Sequence, residues 1–185
     1  MIIREEEILE YSNPENKWIK LYFDKVLFPN GEKGRYNRIV EGEGQGSVAV
    51  IAISASGQVG LVKIYRYPVN AWMWELPRGM CVAGLSLVEN ARRELNEETG
   101  LDSANIKEVG RIFPNSAIIT VEVAVVVARD LVPSTGVLDA DSGAITETRF
   151  FDDSTVNEMA ANGEIRDGLT LAALNLARIH GIWGL

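Results

Sequence analysis

The sequence predicts a mixed α/β domain preceded by a small N-terminal β-element, and three observations lead there. Short runs of aliphatic, β-branched and aromatic residues are bounded by Gly, Pro, Asn and Asp, the pattern of strands separated by turns. One segment, residues 87–99, combines start and stop signals of a helix with apolar residues at helical spacing. Two further helical segments follow the last strand-like run. With 185 residues, 46% hydrophobic and 24% charged, the chain has enough apolar material for one domain with a proper core.

In chain order, "KWIKLYFDKVLF" (17–28), the turn "PNGEKG" and "RYNRIV" (35–40) read as a β-hairpin. "EGEGQG" (41–46) reads as a bend leading into "SVAVIAIS", a continuous apolar run of the kind buried on both faces. The expected boundary between the N-terminal β-element (1–45) and the main domain (46–185) lies here. After "ASGQ", residues 59–67 form another strand, followed by "PVNAWMWELPRG" with its own breakers. Trp72 and Trp74 alternate on that segment, so one of them is expected to face the core. Residues 117–129 read as one long strand and 147–151 as a short one, with helices at 154–162 and 168–180. Lone His180 near the end of the last helix suits the helix dipole and receives no chemical role.

The charge balance narrows the classes of function. A net charge of −8 argues against a nucleic-acid or anionic-membrane binder, so an anionic substrate would need local positive charge. The longest apolar run, "VAVVVA" (123–128), is strand-length and too short to span a bilayer. The first residues carry no apolar stretch of signal-peptide length. The single cysteine, Cys81, allows no internal disulfide and reads as a small hydrophobe. Together these features predict a soluble cytoplasmic protein.

The helix at 87–99 contains an electrostatic problem. Ser86 is placed to be its N-cap, Glu89 stands at the capping-box position, and Gly100 follows the last turn. On a helical wheel Val88, Ala91 and Leu95 form the apolar stripe with Leu87 at its margin; Glu94 and Glu98 fall beside it, with Glu97 a step further round. Like charges four residues apart cost roughly 0.2–0.5 kcal/mol. Carboxylates in a last turn oppose the helix dipole by roughly 0.3–1 kcal/mol each. Arg93 is spaced to pair with Glu97 or Glu89, which leaves Glu94 and Glu98 without a cation in the local sequence. A hard divalent cation answers all these costs at once; a solvated acidic face is the alternative.

The neighbouring residues decide between them. From Gly79 to Leu101 the chain resembles the Nudix hydrolase box, G-x5-E-x7-R-E-U-x-E-E-x-G-U, with U a bulky aliphatic. Gly79, Arg93, Glu94, Leu95, Glu97, Glu98, Gly100 and Leu101 match in register, and Leu85 replaces the first glutamate of the pattern. "YRYPVNAWMWELPRG", "KWIKLYFDKVLFPNGEKGRYNRIV" and "NGEIRDGLTLAALNLARIHG" extend the resemblance to the branch of ADP-ribose pyrophosphatases and nucleoside diphosphate sugar hydrolases.

The resemblance implies the Nudix fold, an α/β/α sandwich around a mixed sheet, and a homodimer formed through the N-terminal element. It implies that Glu94, Glu97 and Glu98, with the backbone at Gly79, hold Mg²⁺ or Mn²⁺, and that Arg93 orients the glutamates. The implied reaction is hydrolysis of the diphosphate of a small nucleoside diphosphate derivative. Arg66 and Arg78 are the candidates for diphosphate contacts, with a solvated surface role as the alternative. Trp18 and Tyr36 match aromatics that sandwich a nucleobase, with hairpin packing as the alternative.

Two departures bear on the substrate. Ala117 stands where the ADP-ribose branch carries a proline, which leaves GDP-mannose-like substrates open. No carboxylate occupies 142–144, where that branch places a water-activating glutamate, so Asp141 becomes the candidate base, ahead of Asp139 and Glu147. A domain weakened by these losses, binding a nucleotide sugar as a sensor or regulator, is the competing expectation, and a hydrolase of broad specificity is a third.

Overall fold

The computed structural model describes residues 1–136 and 143–184. Their contacts divide the chain into two compact units: Met1–Gly46 with Phe113–Glu122, and Ser47–Ile112 with the chain from Val123 onward.

The first unit is antiparallel. Strands β1 (Ile3–Glu6) and β2 (Leu9–Asn13) share one edge of the long β3 (Asn16–Leu27), while β4 (Lys33–Glu41) pairs with the other edge in regular register from Ile19↔Glu41 to Leu27↔Lys33. The hairpin at 17–40 is therefore as expected; β1 and β2, acidic and exposed, were not foreseen. Beneath the ladder lies a buried acid, Asp24, which accepts hydrogen bonds from Arg38 Nε (2.9 Å) and from the Ile8 N–H (3.2 Å). Burial pushes this carboxyl up, but the Arg38 and Ile8 hydrogen bonds and the charges of Arg38 and Arg4 outweigh it and hold Asp24 below the usual carboxylate range.

The second unit is built on a seven-stranded mixed sheet. Its strands are β5 (Ser47–Ile53), β6 (Val59–Arg66), β7 (Ala71–Glu75), β8 (Arg78–Met80), β10 (Asn105–Ile112), β11 (Val123–Arg129) and β13 (Ile145–Phe151). Short strands β9 (Leu101–Asp102) and β12 (Val132–Pro133) form a separate pair, and the helices are α1 (Leu87–Thr99), α2 (Asp153–Ala161) and α3 (Gly168–Ile179). The strand order is β10-β11-β5-β6-β13, with β5 and β11 parallel and the other pairs antiparallel. The run at 47–53 is continuous in apolar character because both of its faces are buried. Val48, Val50 and Ala52 pack with Ala91 and Leu95 of α1 on one side. Ile51 and Ile53 pack with Val156, Met159, Ala173, Leu174 and Ala177 of α2 and α3 on the other. The expected three-layer α/β/α arrangement is thus present.

One feature of the sheet creates room for chemistry. Strands β5 and β6 pair only at Ala52↔Gly60 and Ile53↔Val59, then diverge. Past the fork β7 takes over the edge of β6 (Val62↔Glu75 to Arg66↔Ala71), and β8 takes over that of β5 (Ser47↔Met80 to Ala49↔Arg78). The connector between β7 and β8 is pinned into the fork by the Val50 N–H, which donates to the Pro77 carbonyl (2.8 Å).

One expectation is corrected, and one strand has no counterpart in the sequence reading. Residues 117–122 do not extend β11: the Ile39 N–H donates to Ile118 O (2.7 Å) and the Thr120 N–H to Ile39 O (3.0 Å), so this stretch is held by β4 within the first unit. Strand β10 went unforeseen because it is an edge strand with an irregular register between Glu108 and Gly110 and outward charges at Lys107, Glu108 and Arg111. Trp74 is buried against Phe151 while Trp72 is exposed, as the alternation required.

Because Asp24 has a lowered pKa in the folded state, its contribution to stability is complete above the unfolded value of about 3.9 and is lost as pH falls through the folded value. Asp24→Asn is expected to lower the urea midpoint at pH 7, and the gap to the wild type is expected to close as the titration is carried below about pH 4.

Candidate active site

The segment from Glu75 to Thr99 builds the site from both sides of the fork. Helix α1 begins with a full capping box: Ser86 Oγ accepts from the Glu89 N–H (3.2 Å), and Glu89 Oε2 accepts from the Ser86 N–H (2.7 Å). It ends at Gly100, whose left-handed backbone (φ 70°, ψ 16°) favours glycine. The loop before it is organised by Asn90, which is buried; its Nδ2 donates to Leu85 O and Ser86 O, and its Oδ1 accepts from the Val82 N–H (2.8 Å). Leu85, where the box pattern has an acid, is exposed.

Glu94 and Glu98, one turn apart on α1, are 5% and 7% exposed. Both carboxylates lie against the backbone of β8. Glu98 Oε2 accepts from the Arg78 N–H (3.1 Å), and the Glu94 carboxylate fills the space a Cβ on residue 79 would need. Gly79 is therefore required for close approach rather than for turn geometry. Its carbonyl accepts from Ser47 Oγ (2.6 Å). Arg93 lies across Glu94 and Glu97: Nη1 donates to Glu97 Oε2 (2.7 Å), while Nη2 donates to Met80 O (2.7 Å) and contacts Glu94 Oε1. Its Nε is buried with no hydrogen-bond partner among the described residues.

This geometry corrects part of the helical-wheel expectation. Arg93 pairs with Glu97 as expected, but Glu89 is committed to the cap, and Arg93 also reaches Glu94, so Glu94 does have a local cation. Val88 is exposed and not part of the buried stripe, whereas Asn90 is.

Arg66 and Arg78 are brought together by a residue the sequence reading missed. Glu75, 1% exposed, accepts from Arg66 Nη2 (2.7 Å), Arg66 Nε (3.1 Å) and Arg78 Nη2 (2.7 Å). Arg78 Nη2 also reaches Asp167 Oδ1 (3.1 Å). Burial pulls the Arg66 pKa down, but the hydrogen bond and charge of Glu75, helped by Glu98 and Asp167, outweigh it and raise it above its ordinary value. The signal that could have identified Glu75 is a lone acid in the apolar run "AWMWELP", between two arginines. Cys81 packs against the core beside α1, where burial first and the Glu94 charge second push its thiol up, away from nucleophilic character.

Trp18 and Tyr36 are both exposed, in the first unit. Tyr36 stands opposite Asp24 on the β3–β4 ladder, six residues along β3 from Trp18, a span of about 20 Å at strand rise. One protomer therefore does not bring the two rings together on a single base. Asp139 and Asp141 lie outside the described residues. Glu147 is on β13, paired with Arg149.

The donor set fits a hard divalent cation that keeps waters and substrate phosphates in its shell. Two buried carboxylate groups face one stretch of backbone, with a third carboxylate beside them, and such ions need only one or two protein carboxylates. Among the described residues, no group of three or more His, Cys, Asp or Glu side chains is placed to hold a metal ion between them, so an ion here would rest on one or two carboxylates and on water. No helix among them is long and apolar enough to cross a membrane.

Comparison with known proteins adds an independent line. The family model of the NUDIX domain matches residues 44–172. The chain is 30% identical over 115 residues to the ADP-ribose pyrophosphatase of Bacillus subtilis, covering 62% of this chain but only 60% of that protein. It is 26% identical over 166 residues to the GDP-mannose pyrophosphatase of Salmonella arizonae, covering 84% of each. The crystal structure of an ADP compounds hydrolase superposes with a TM-score of 0.77 over 99% of both chains at 16% identity, a likeness of fold.

Glu75→Gln would leave Arg66 without its carboxylate partner and Arg78 with Asp167 alone. The expected cost is about 3 kcal/mol, the low end for a broken buried pair because both arginines keep some water contact, read as a fall in the urea midpoint. An unchanged midpoint would contradict the buried pairing.

Proposed function

The chain belongs to the NUDIX domain family, and from that premise we propose that it hydrolyses the diphosphate bond of ADP-ribose or a related nucleoside diphosphate sugar, releasing a nucleoside monophosphate and a sugar phosphate. The observation that carries the reading is that two carboxylates one helical turn apart, Glu94 and Glu98, are buried against the Arg78–Gly79 backbone with Glu97 beside them, a convergence of oxygen donors that suits a hard divalent cation. Relatives named for both ADP-ribose and GDP-mannose keep both sugar nucleotides in view.

In this reading Glu94 and Glu98, with Glu97 and the backbone at Gly79, hold Mg²⁺ or Mn²⁺. The bound ion supplies charge neutralisation on the diphosphate and a more acidic water. Arg93 restrains Glu94 and Glu97 from one side and anchors on the Met80 carbonyl, so the acids enter the reaction already oriented. Arg66 and Arg78 provide the positive charge that an acidic protein needs toward an anionic substrate, with phosphate oxygens competing against Glu75 for their N–H groups. Trp18 and Tyr36 offer exposed rings for base stacking, which their separation makes a task for two protomers, in keeping with a homodimer through the N-terminal element. Asp141 is the proposed base. The setting is read as cytoplasmic, which the lone free thiol of Cys81 supports.

A second reading, binding of a nucleotide sugar without turnover, is favoured by one observation: exposed Leu85 in place of the box acid. ADP-ribose, GDP-mannose, UDP-glucose, NADH and diadenosine polyphosphates, each assayed with and without Mg²⁺, separate the two. We expect metal-dependent turnover of ADP-ribose or GDP-mannose, and a fall of about 10²-fold or more in kcat for Glu98→Gln with its melting temperature retained. Binding without turnover of any compound would instead support the sensor. Light scattering reads the homodimer, and a monomer at assay concentration would contradict it.

A further inference from the structure

Asp167, at the start of α3, does two things with one carboxylate. Its Oδ2 accepts from the Thr170 N–H (2.8 Å), capping the helix, and its Oδ1 accepts from Arg78 Nη2 (3.1 Å). Thr170 is fully buried, and its Oγ1 accepts from the Leu76 N–H (3.1 Å). The first turn of α3 therefore grips the β7–β8 connector on both sides of Pro77, at Leu76 through the main chain and at Arg78 through the side chain. The next main-chain donor after Pro77, which has none, is the Arg78 N–H, and it points at Glu98 Oε2 (3.1 Å).

The charges make the same connection. Glu75 alone offers one negative charge to two guanidinium groups, and Asp167 brings the second, so that Arg66, Arg78, Glu75 and Asp167 sum to zero. Glu98 and Asp167 both act on Arg66 through space. Without the Asp167 charge, the two guanidinium groups share only Glu75, and an uncompensated positive charge is left on the residue whose main-chain N–H Glu98 accepts.

We propose that Asp167 is a positioning residue for Glu98: acting through Arg78, it lets helix α3 set the geometry and charge of the cation site. The proposal rests on the reading of Glu98 as a metal ligand. Its ordinary alternative is that Asp167 is only a helix cap, and two substitutions separate these roles, because Asn and Ser both cap helices without carrying charge.

The test is Mn²⁺ binding to the full chain without substrate, read by electron paramagnetic resonance of the free ion, for the wild type, Asp167→Asn, Asp167→Ser and Glu98→Gln, with melting temperatures recorded alongside. Both Asp167 variants are expected to keep the fold and to weaken Mn²⁺ binding about tenfold, the low end for residues that orient a metal ligand. In an Arg78→Met background, which keeps the main-chain N–H but removes the guanidinium, Asp167→Asn is expected to change binding less than about twofold, since coupled residues are not additive. Wild-type Mn²⁺ binding by the Asp167 variants, with Glu98→Gln impaired, overturns the proposal and leaves the metal reading standing. An undiminished loss in the Arg78→Met background also overturns it. Wild-type Mn²⁺ binding by Glu98→Gln is a different result: it removes the metal reading itself, and this proposal with it.

Discussion

Burying two like charges one helical turn apart is the constraint around which the second unit is arranged. Glu94 and Glu98 sit on the inner face of α1, next to Ala91 and Leu95, where aliphatic side chains would be cheaper. Everything near them reduces that cost. Gly79 gives up a side chain so that the Glu94 carboxylate can lie on the backbone, the Arg78 N–H is turned toward Glu98, and Arg93 spans Glu94, Glu97 and the Met80 carbonyl. Such an assembly contributes little to fold stability, and under the proposed function it serves as a preorganised cation site.

The sheet makes this arrangement available. A regular ladder between β5 and β6 would leave no place for the β7–β8 connector, and α1 would rest on closed sheet. Because the two strands part after two residue pairs, β7 and β8 enter the fork and deliver the Glu75 carboxylate, the Arg78 N–H and the glycine at 79 within a few residues of one another. Helix α3 closes the same fork through Thr170 and Asp167. Core layers pack on both faces of the strands that form the fork, the kind of support a site needs if its charges are to be aimed in advance.

Much of this was legible in the sequence, for local reasons. The capping box at Ser86–Glu89, the stop at Gly100 and the spacing of Glu94, Glu97 and Glu98 are short-range signals, and the helix lies where they place it. The doubly buried strand at 47–53 announces itself by its unbroken apolar run. What escaped depends on distant partners. Glu75 carries no periodicity, and its meaning arises only when Arg66 and Arg78 converge on it. The contact of Arg93 with Glu94 runs against the rule that adjacent helical residues do not face each other, and it forms because β8 confines both side chains. Residues 117–122 look like strand, yet Ile39 claims their hydrogen bonds, a choice no local window can see. The residues 137–142, with the candidate base Asp141, lie outside what the structure describes.

The central claim is that the buried pair Glu94 and Glu98 is a cation site. Anomalous diffraction from crystals soaked in Mn²⁺ tests it most directly, because it locates the ion without reference to activity. The account predicts a peak within coordination distance of carboxylate oxygens of both Glu94 and Glu98, beside the backbone of Arg78 and Gly79. A Mn²⁺ peak elsewhere, with Arg93 still holding Glu94 and no density between the two glutamates, would contradict it.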